Sequence, residues 1–264
     1  TTEIYTLSLH DALPILEPAQ TPAGPGLKNE LMLPAILDPW ASHALYEAAN
    51  LAKTQPDSKV WLVSIGPKAK LQQVMMSVAQ KVPFELVVLD GPAGGFVDAG
   101  EAAEALAGAI EGIAGLDKSK LLVFGGWQSA SRGAGATMQM LGERLGVVDQ
   151  FQGVDRITPA ADGSFEVMER IEGGSYQVSV CAGAPAVLGW ATGELPEPPN
   201  NPQVGMQNMR FIMPALQKAT PAKVGAAGVS YLTVAQPQQK RETRIVKDAP
   251  VDEIAKEIID WIKA

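Results

Sequence analysis

The sequence predicts a layered α/β fold built on a parallel sheet, and three observations carry that expectation. Short continuous apolar runs at Val60-Trp61-Leu62-Val63-Ser64, Phe84–Leu89 and Lys120–Phe124 fit strands buried on both faces. Stretches of helical periodicity separate them. The first and third runs stop at Gly66-Pro67 and Gly125-Gly126, where a chain turns from strand into helix. Strand–helix alternation of this kind implies parallel βαβ units with right-handed crossovers.

Each element follows in chain order. Residues 16–36 are rich in Pro and Gly and read as loop. Asp38-Pro39-Trp40-Ala41-Ser42 opens a helix with Leu45, Ala48, Ala49 and Ala52 on one stripe; Asp38 and Ser42 are cap residues and Pro39 suits the first turn. Helices are expected over about 68–80, over the Ala-rich 99–114, and from near Gly135 to Leu145. Residues 151–190 change character. Turn signals at Ala161-Asp162-Gly163 and Glu172-Gly173-Gly174 separate Phe165–Ile171 from Tyr176–Val180, which predicts an antiparallel meander on the sheet edge. Residues 193–205 read as loop, and a low-complexity stretch leads to a strand-like Thr243–Val246. Asp248–Ala264 is an amphipathic helix whose Ile254, Ile258, Ile259 and Ile262 share a face that needs a partner.

The first fifteen residues, TTEIYTLSLHDALPI, resemble the in-frame translation of a sequencing adapter and take no part in the expected fold. A secretory signal fits them poorly, because the first Lys is Lys28. Without them His43 is the only histidine, so a His-pair metal site or relay has no raw material. The expected division is 1–15 as non-native, 16–223 as a nucleotide-binding α/β domain, and 224–264 as a C-terminal arm.

Composition narrows the function. The 264-residue chain carries a net charge of −8, which leaves no electrostatic footprint for a nucleic acid backbone. A single Cys excludes a disulfide scaffold and a Cys-based zinc or iron–sulfur site. No apolar run approaches the ~18 residues a membrane span requires. A cytoplasmic protein is expected.

The chemistry-bearing feature is the segment after the third strand, Gly125-Gly126-Trp127-Gln128-Ser129-Ala130-Ser131-Arg132-Gly133-Ala134-Gly135-Ala136-Thr137. Small residues, hydroxyls and an Arg lie between the end of a parallel strand and the start of a helix. Unpaired N–H groups and the helix dipole favour an anion there, so the geometry suits a phosphate. Ser131 and Thr137 can donate and Arg132 can neutralise charge. A purely structural turn accounts for the same residues, since no Walker Lys follows and the spacing is not a dinucleotide fingerprint. Ser64-Ile65-Gly66-Pro67 can wall the same crevice. Cys181 reads as a small buried hydrophobe, His43 as a first-turn helix residue, and Glu101, Glu104 and Glu111 as a solvated face. No catalytic set is present.

The order of these segments resembles the electron-transfer flavoprotein β-subunits. Asp38–Ala48 is similar to that family's Asn-Pro-Phe/Trp-Asp-Glu-x-Ala-x-Glu-Glu-Ala segment, and Val63–Pro67 to its Val-Ser-x-Gly-Pro strand end. Gly126–Thr137 resembles its nucleotide loop, Ile171–Gly174 and Ala184–Leu188 its meander, and Met209–Ala219 its Pro-Arg-Tyr-x-x-Leu-Pro-x-Ile-x-x-Ala segment. The resemblance covers about residues 30–223.

It implies a Rossmann-like parallel sheet of the adenine-nucleotide α-hydrolase type. It also implies a non-enzymatic electron carrier, heterodimeric with an α-subunit, that shares one FAD with that subunit and buries an AMP or a second FAD. Electrons would pass from a donor dehydrogenase to a downstream quinone oxidoreductase. The nucleotide contacts it implies are Asp38, Ser64, Gly66, Gln128, Ser129, Ser131, Arg132, Gly133, Gly135, Ala136 and Thr137. Arg210 would lie near the flavin side of the interface, and Met213 would dock a partner as an adaptable apolar knob. A stand-alone adenine-nucleotide sensor or hydrolase of the same fold is the alternative.

The chain departs from the family at Ala41 and Ser42, which replace an acidic pair, and at Gly135-Ala136, which replaces Asn-Gln. The family's opening Met-Lys-Ile-x-Val-x-Val-Lys strand is missing. The expectation is a sheet lacking one central parallel strand, with two unpaired edges and a purified chain prone to aggregate.

Overall fold

The computed structural model describes residues 17–21, 24–55, 57–92, 97–129, 133–224, 232–235 and 249–263. The adapter-like segment, Ser131, Arg132 and the strand expected at Thr243–Val246 lie outside the described residues.

The first described elements are β1 (Pro18–Thr21) and β2 (Gly24–Leu27), an antiparallel pair where the sequence predicts only loop. Its open end is closed by Lys28 N donating to Glu17 O (2.8 Å) and by a Lys28–Glu17 ion pair at 2.6 Å. This is a local hairpin in a Gly- and Pro-rich segment, and no apolar periodicity announces it.

Next come α1 (Pro39–Thr54), β3 (Trp61–Gly66), α2 (Lys68–Ala79), β4 (Glu85–Asp90), α3 (Ala99–Glu111), β5 (Leu122–Gly126) and α4 (Thr137–Leu145). The alternation is the one predicted, with boundaries moved by a few residues. Strands β3 and β4 pair in parallel from Trp61 opposite Glu85 to Gly66 opposite Asp90.

The meander is β6 (Gln150–Pro159), β7 (Phe165–Arg170) and β8 (Tyr176–Cys181), all antiparallel. One part of the predicted meander departs from it. Strand β9 (Ala186–Trp190) inserts between β5 and β6 and runs parallel to both. All five of its residues are buried, the pattern of a strand covered on both faces, and that run is what separates it from the half-exposed β8.

Helix α5 (Pro202–Gln217) starts inside the span predicted as loop. Asn201 accepts from the N–H groups of Gln203 (3.0 Å) and Val204 (3.4 Å), and Pro202 occupies the first helical position. The two-residue β10 (Thr220–Pro221) then joins the free side of β4 in parallel. The last helix, α6 (Val251–Lys263), has no buried residue; Ile254, Ile258, Ile259, Trp261 and Ile262 are all exposed.

The hydrogen-bonded order is β10-β4-β3 in one sheet and β5-β9-β6-β7-β8 in another. Among the described residues no strand joins β3 to β5. Helices nevertheless hold the two sheets together. On one face, Leu45, Tyr46 and Ala49 of α1 pack with Leu62, Leu86 and Val88, while Ala44 packs with Leu122, Phe124 and Trp190. On the other face, Ala103, Ala107 and Ile110 of α3 belong to one apolar cluster with Val63 of β3 and Val123 of β5.

Candidate functional site

Strands β3 and β5 flank the place where the chain reverses its progress across the sheet, the switch point at which α/β folds place ligands beyond the carboxyl ends of strands. Four helices begin at those ends, and their caps differ. Asp38 Oδ1 accepts from Trp40 N at 3.0 Å and caps α1. Asp90 Oδ1 accepts from Lys68 N at 2.9 Å, which gives α2 a carboxylate at its first N–H. Asp98 Oδ1 takes the Gly100 and Glu101 N–H groups at 3.0 and 3.2 Å and caps α3. Helix α4 starts from Ala136 with no side-chain cap. Among the described residues no N-cap side chain takes its first N–H groups, and such a helix start favours a negatively charged acceptor.

The loop leading into α4 has the backbone this requires. Trp127 N donates to Trp190 O at 3.0 Å, and Gly133 N donates to Ser129 O at 2.8 Å, folding the loop back on itself. Gly133 and Gly135 both sit at φ 63°, and a Cβ on Gly135 would lie 3.3 Å from Trp127 O. A side chain at either position is strained, so the loop closes only with glycine. The base of the loop is tight as well. A Cβ on Gly125 would collide with Met138, and one on Gly126 would lie 3.0 Å from Trp40 Cβ and 3.2 Å from Ala41 N. The first turns of α1 and α4 thereby converge on the end of β5.

Around that strand end Gln128 lies beside Gly126, Gly133 and Gly135, and Trp40, the residue whose N–H Asp38 accepts, stands against Gly126. Ser64 and Gly66 stand at the end of β3 on the other side of the crevice. Asp38 already serves as a helix cap. Arg210 and Met213 are not part of this cluster. They lie on the outer side of α5, whose inner side buries Gly205, Asn208, Ile212 and Leu216.

Three polar residues escaped the sequence reading. Asn208, 1% exposed, accepts from Phe84 N (3.1 Å) and donates to Ala79 O and Val82 O (2.7 Å each). It ties α5 to the turn between α2 and β4. Asp155, 3% exposed, accepts from Gly193 N at 2.8 Å and from Arg170 Nε. Glu47 on α1 is pushed up to about 7 by burial, against a backbone hydrogen bond from Leu195 that lowers it, with Glu194 adding to the rise. No local pattern marks these residues, because their partners come from distant segments. Burial likewise raises the Cys181 thiol, which donates to Gly183 O at 3.2 Å, consistent with an inert core cysteine.

A profile of the electron transfer flavoprotein domain matches residues 29–242. The chain belongs to the electron transfer flavoprotein family. No curated protein matches it. Membership agrees with the mixed α/β architecture and makes electron transport by a flavoprotein the role of the chain. No helix among the described residues is long and apolar enough to cross a membrane.

Proposed function

We propose that this chain is the β-subunit of an electron-transfer flavoprotein, heterodimeric with an α-subunit. In this reading it contributes to one FAD shared with that subunit and buries an AMP, or a second FAD, between the carboxyl ends of β3 and β5. The observation that carries it is the uncapped start of α4 behind Gly133 and Gly135, both at φ 63°. The group fits the residues present: backbone N–H groups supply the phosphate contact, and Thr137, Ser129 and Gln128 add polar side chains at the rim. Asp38 and Gly66 shape the walls, and Ser131 and Arg132 complete the proposed set.

A flavin, when bound, supplies the one- and two-electron chemistry. The chain itself then has to bind, orient and shield, and this accounts for its poverty in His, Cys and charged residues. Arg210 and Met213, exposed on α5, are assigned to the partner side, with donor dehydrogenases and a quinone oxidoreductase as the exchanging proteins. The exposed apolar stripe of α6 is assigned to the α-subunit as a docking arm.

Co-expression with an adjacent α-subunit gene tests the reading. A yellow heterodimer that releases one FAD and one AMP on denaturation is the expected result. A colourless nucleotide-binding homomer would replace it with a stand-alone nucleotide sensor or hydrolase. Unchanged α-subunit capture after deletion of 248–264 would remove the arm assignment alone.

A further inference from the structure

Residues 193–201 form a Pro-rich strap that leaves β9, passes α1 and reaches the start of α5. Both ends are tied: Gly193 N donates to Asp155 Oδ1 and Asn201 N to Gln80 O, each at 2.8 Å. Between the strap, α1 and the end of α2 lies a cavity of about 400 Å³. Among the described residues, none of those assigned to the nucleotide lines it. One buried cation organises its polar wall. The Lys81 side chain, 17% exposed, pairs with Glu197 at 2.7 Å and donates to Pro198 O at 3.1 Å. Glu197 is 63% exposed, so the cation is the fixed member of the pair and the carboxylate the movable one. Pro196 and Pro198 stiffen the backbone on both sides of Glu197, and rotation of its side chain alone vacates the place beside Lys81. A largely buried ammonium left there without an anion is costly, so another anion is favoured in its stead.

We propose that this cavity binds a small monocarboxylate with an apolar tail, whose head replaces Glu197 beside Lys81. Two further donors serve that head. Lys81 holds the Glu197 carboxyl below the usual carboxylate range and the charge of His43 adds to the lowering, so both cations act on the same place. Tyr46, 6% exposed, lines the cavity with a hydroxyl that makes no hydrogen bond among the described residues. Burial raises that hydroxyl, with the Glu197 charge adding, and it remains a donor. Ser42 and Ser77 spend their protons on Asp38 O (3.1 Å) and Val74 O (2.7 Å), so they offer lone pairs only and do not attract the head. Ile36, Leu37 and Val78 supply apolar surface for the tail. At the ~30 Å³ that each liquid water occupies, the volume takes about a dozen non-hydrogen atoms, which keeps the tail short. A single fixed cation suits a monoanion better than a phosphate dianion. The exchange itself loses little, because an ion pair with an exposed partner is worth little.

Titration calorimetry of the full chain with hexanoate tests this. A Kd on the order of 1 mM is expected for so small a ligand. Glu197→Gln removes the competing carboxylate and should tighten hexanoate binding roughly fivefold. Lys81→Met should weaken it at least about tenfold, and Tyr46→Phe roughly threefold. Lys81→Met also releases the strap from Pro198 O, whereas Glu197→Gln changes an exposed side chain and keeps the test independent of folding. No heat with hexanoate overturns the proposal. So does failure of any of the three variants to move the affinity in its stated direction, which places the ligand elsewhere. Equal affinity for hexan-1-ol would reduce the site to apolar contact, and equal affinity for inorganic phosphate would reduce it to a bare anion site; either overturns the assignment.

Discussion

Gly126 and Trp40 approach so closely that a Cβ on the glycine would stand 3.0 Å from the Trp40 Cβ. This contact seats the end of β5 on the first turn of α1 and brings two helix starts to one strand end. Ala41 N, at 3.2 Å from the same point, belongs to the backbone and cannot rotate aside. Gly126→Ala should therefore destabilise the chain by about 1–3 kcal/mol through overpacking. A thermal melt reads this directly, and an unchanged midpoint would show that α1 is free to retreat.

Gly135→Ala separates loop shape from loop stability. The residue sits at φ 63° against Trp127 O, whereas Gly146, at φ 73°, has open space around it. Alanine in the left-handed region costs about 1–2 kcal/mol at either site. Only Gly135→Ala should also weaken the proposed AMP binding, by roughly tenfold for about 1.4 kcal/mol of lost preorganisation. Titration calorimetry on both variants distinguishes them, and equal affinities would place the nucleotide elsewhere.

Glu47 predicts a pH dependence with a definite sign. Burial raises its folded value from 4.5 to about 7, so the folded state holds the proton more tightly than the unfolded chain. The contribution is fully present below about pH 4.5, declines between pH 4.5 and 7, and is gone above. Glu47 is only partly buried, and solvent screening reduces the effect to about 1 kcal/mol. Melting midpoints from pH 5 to pH 8 should fall more steeply for the native chain than for Glu47→Gln; parallel curves would assign the slope to other groups.

Asn208→Ala removes one acceptor and two donated bonds inside the core. The Phe84 N–H and the Ala79 and Val82 carbonyls lose their partner, which costs about 3 kcal/mol, or roughly 6–12 °C in melting temperature. Asn208→Asp keeps the acceptor for Phe84 but points a carboxylate oxygen at two carbonyls, and should be at least as harmful. A rise in stability for either variant would contradict the assigned bonds.

What the sequence by itself determined was local. Apolar runs located β3, β4 and β5; Asp38-Pro39 located the start of α1; and the glycines before Thr137 marked a loop in which Gly133 and Gly135 both take φ 63°. These signals act over a few residues, through propensity, caps and backbone freedom. Asn201-Pro202 is a signal of the same kind and was legible, yet the surrounding prolines concealed it.

Tertiary structure alone decided which strands are neighbours. The parallel insertion of β9 between β5 and β6, the bonds of Asn208 and the burial of Glu47 all depend on partners far along the chain. Hydrogen-bond partners in a sheet are chosen by topology, and no short window of sequence contains β5, β6 and the strand β9 that joins them.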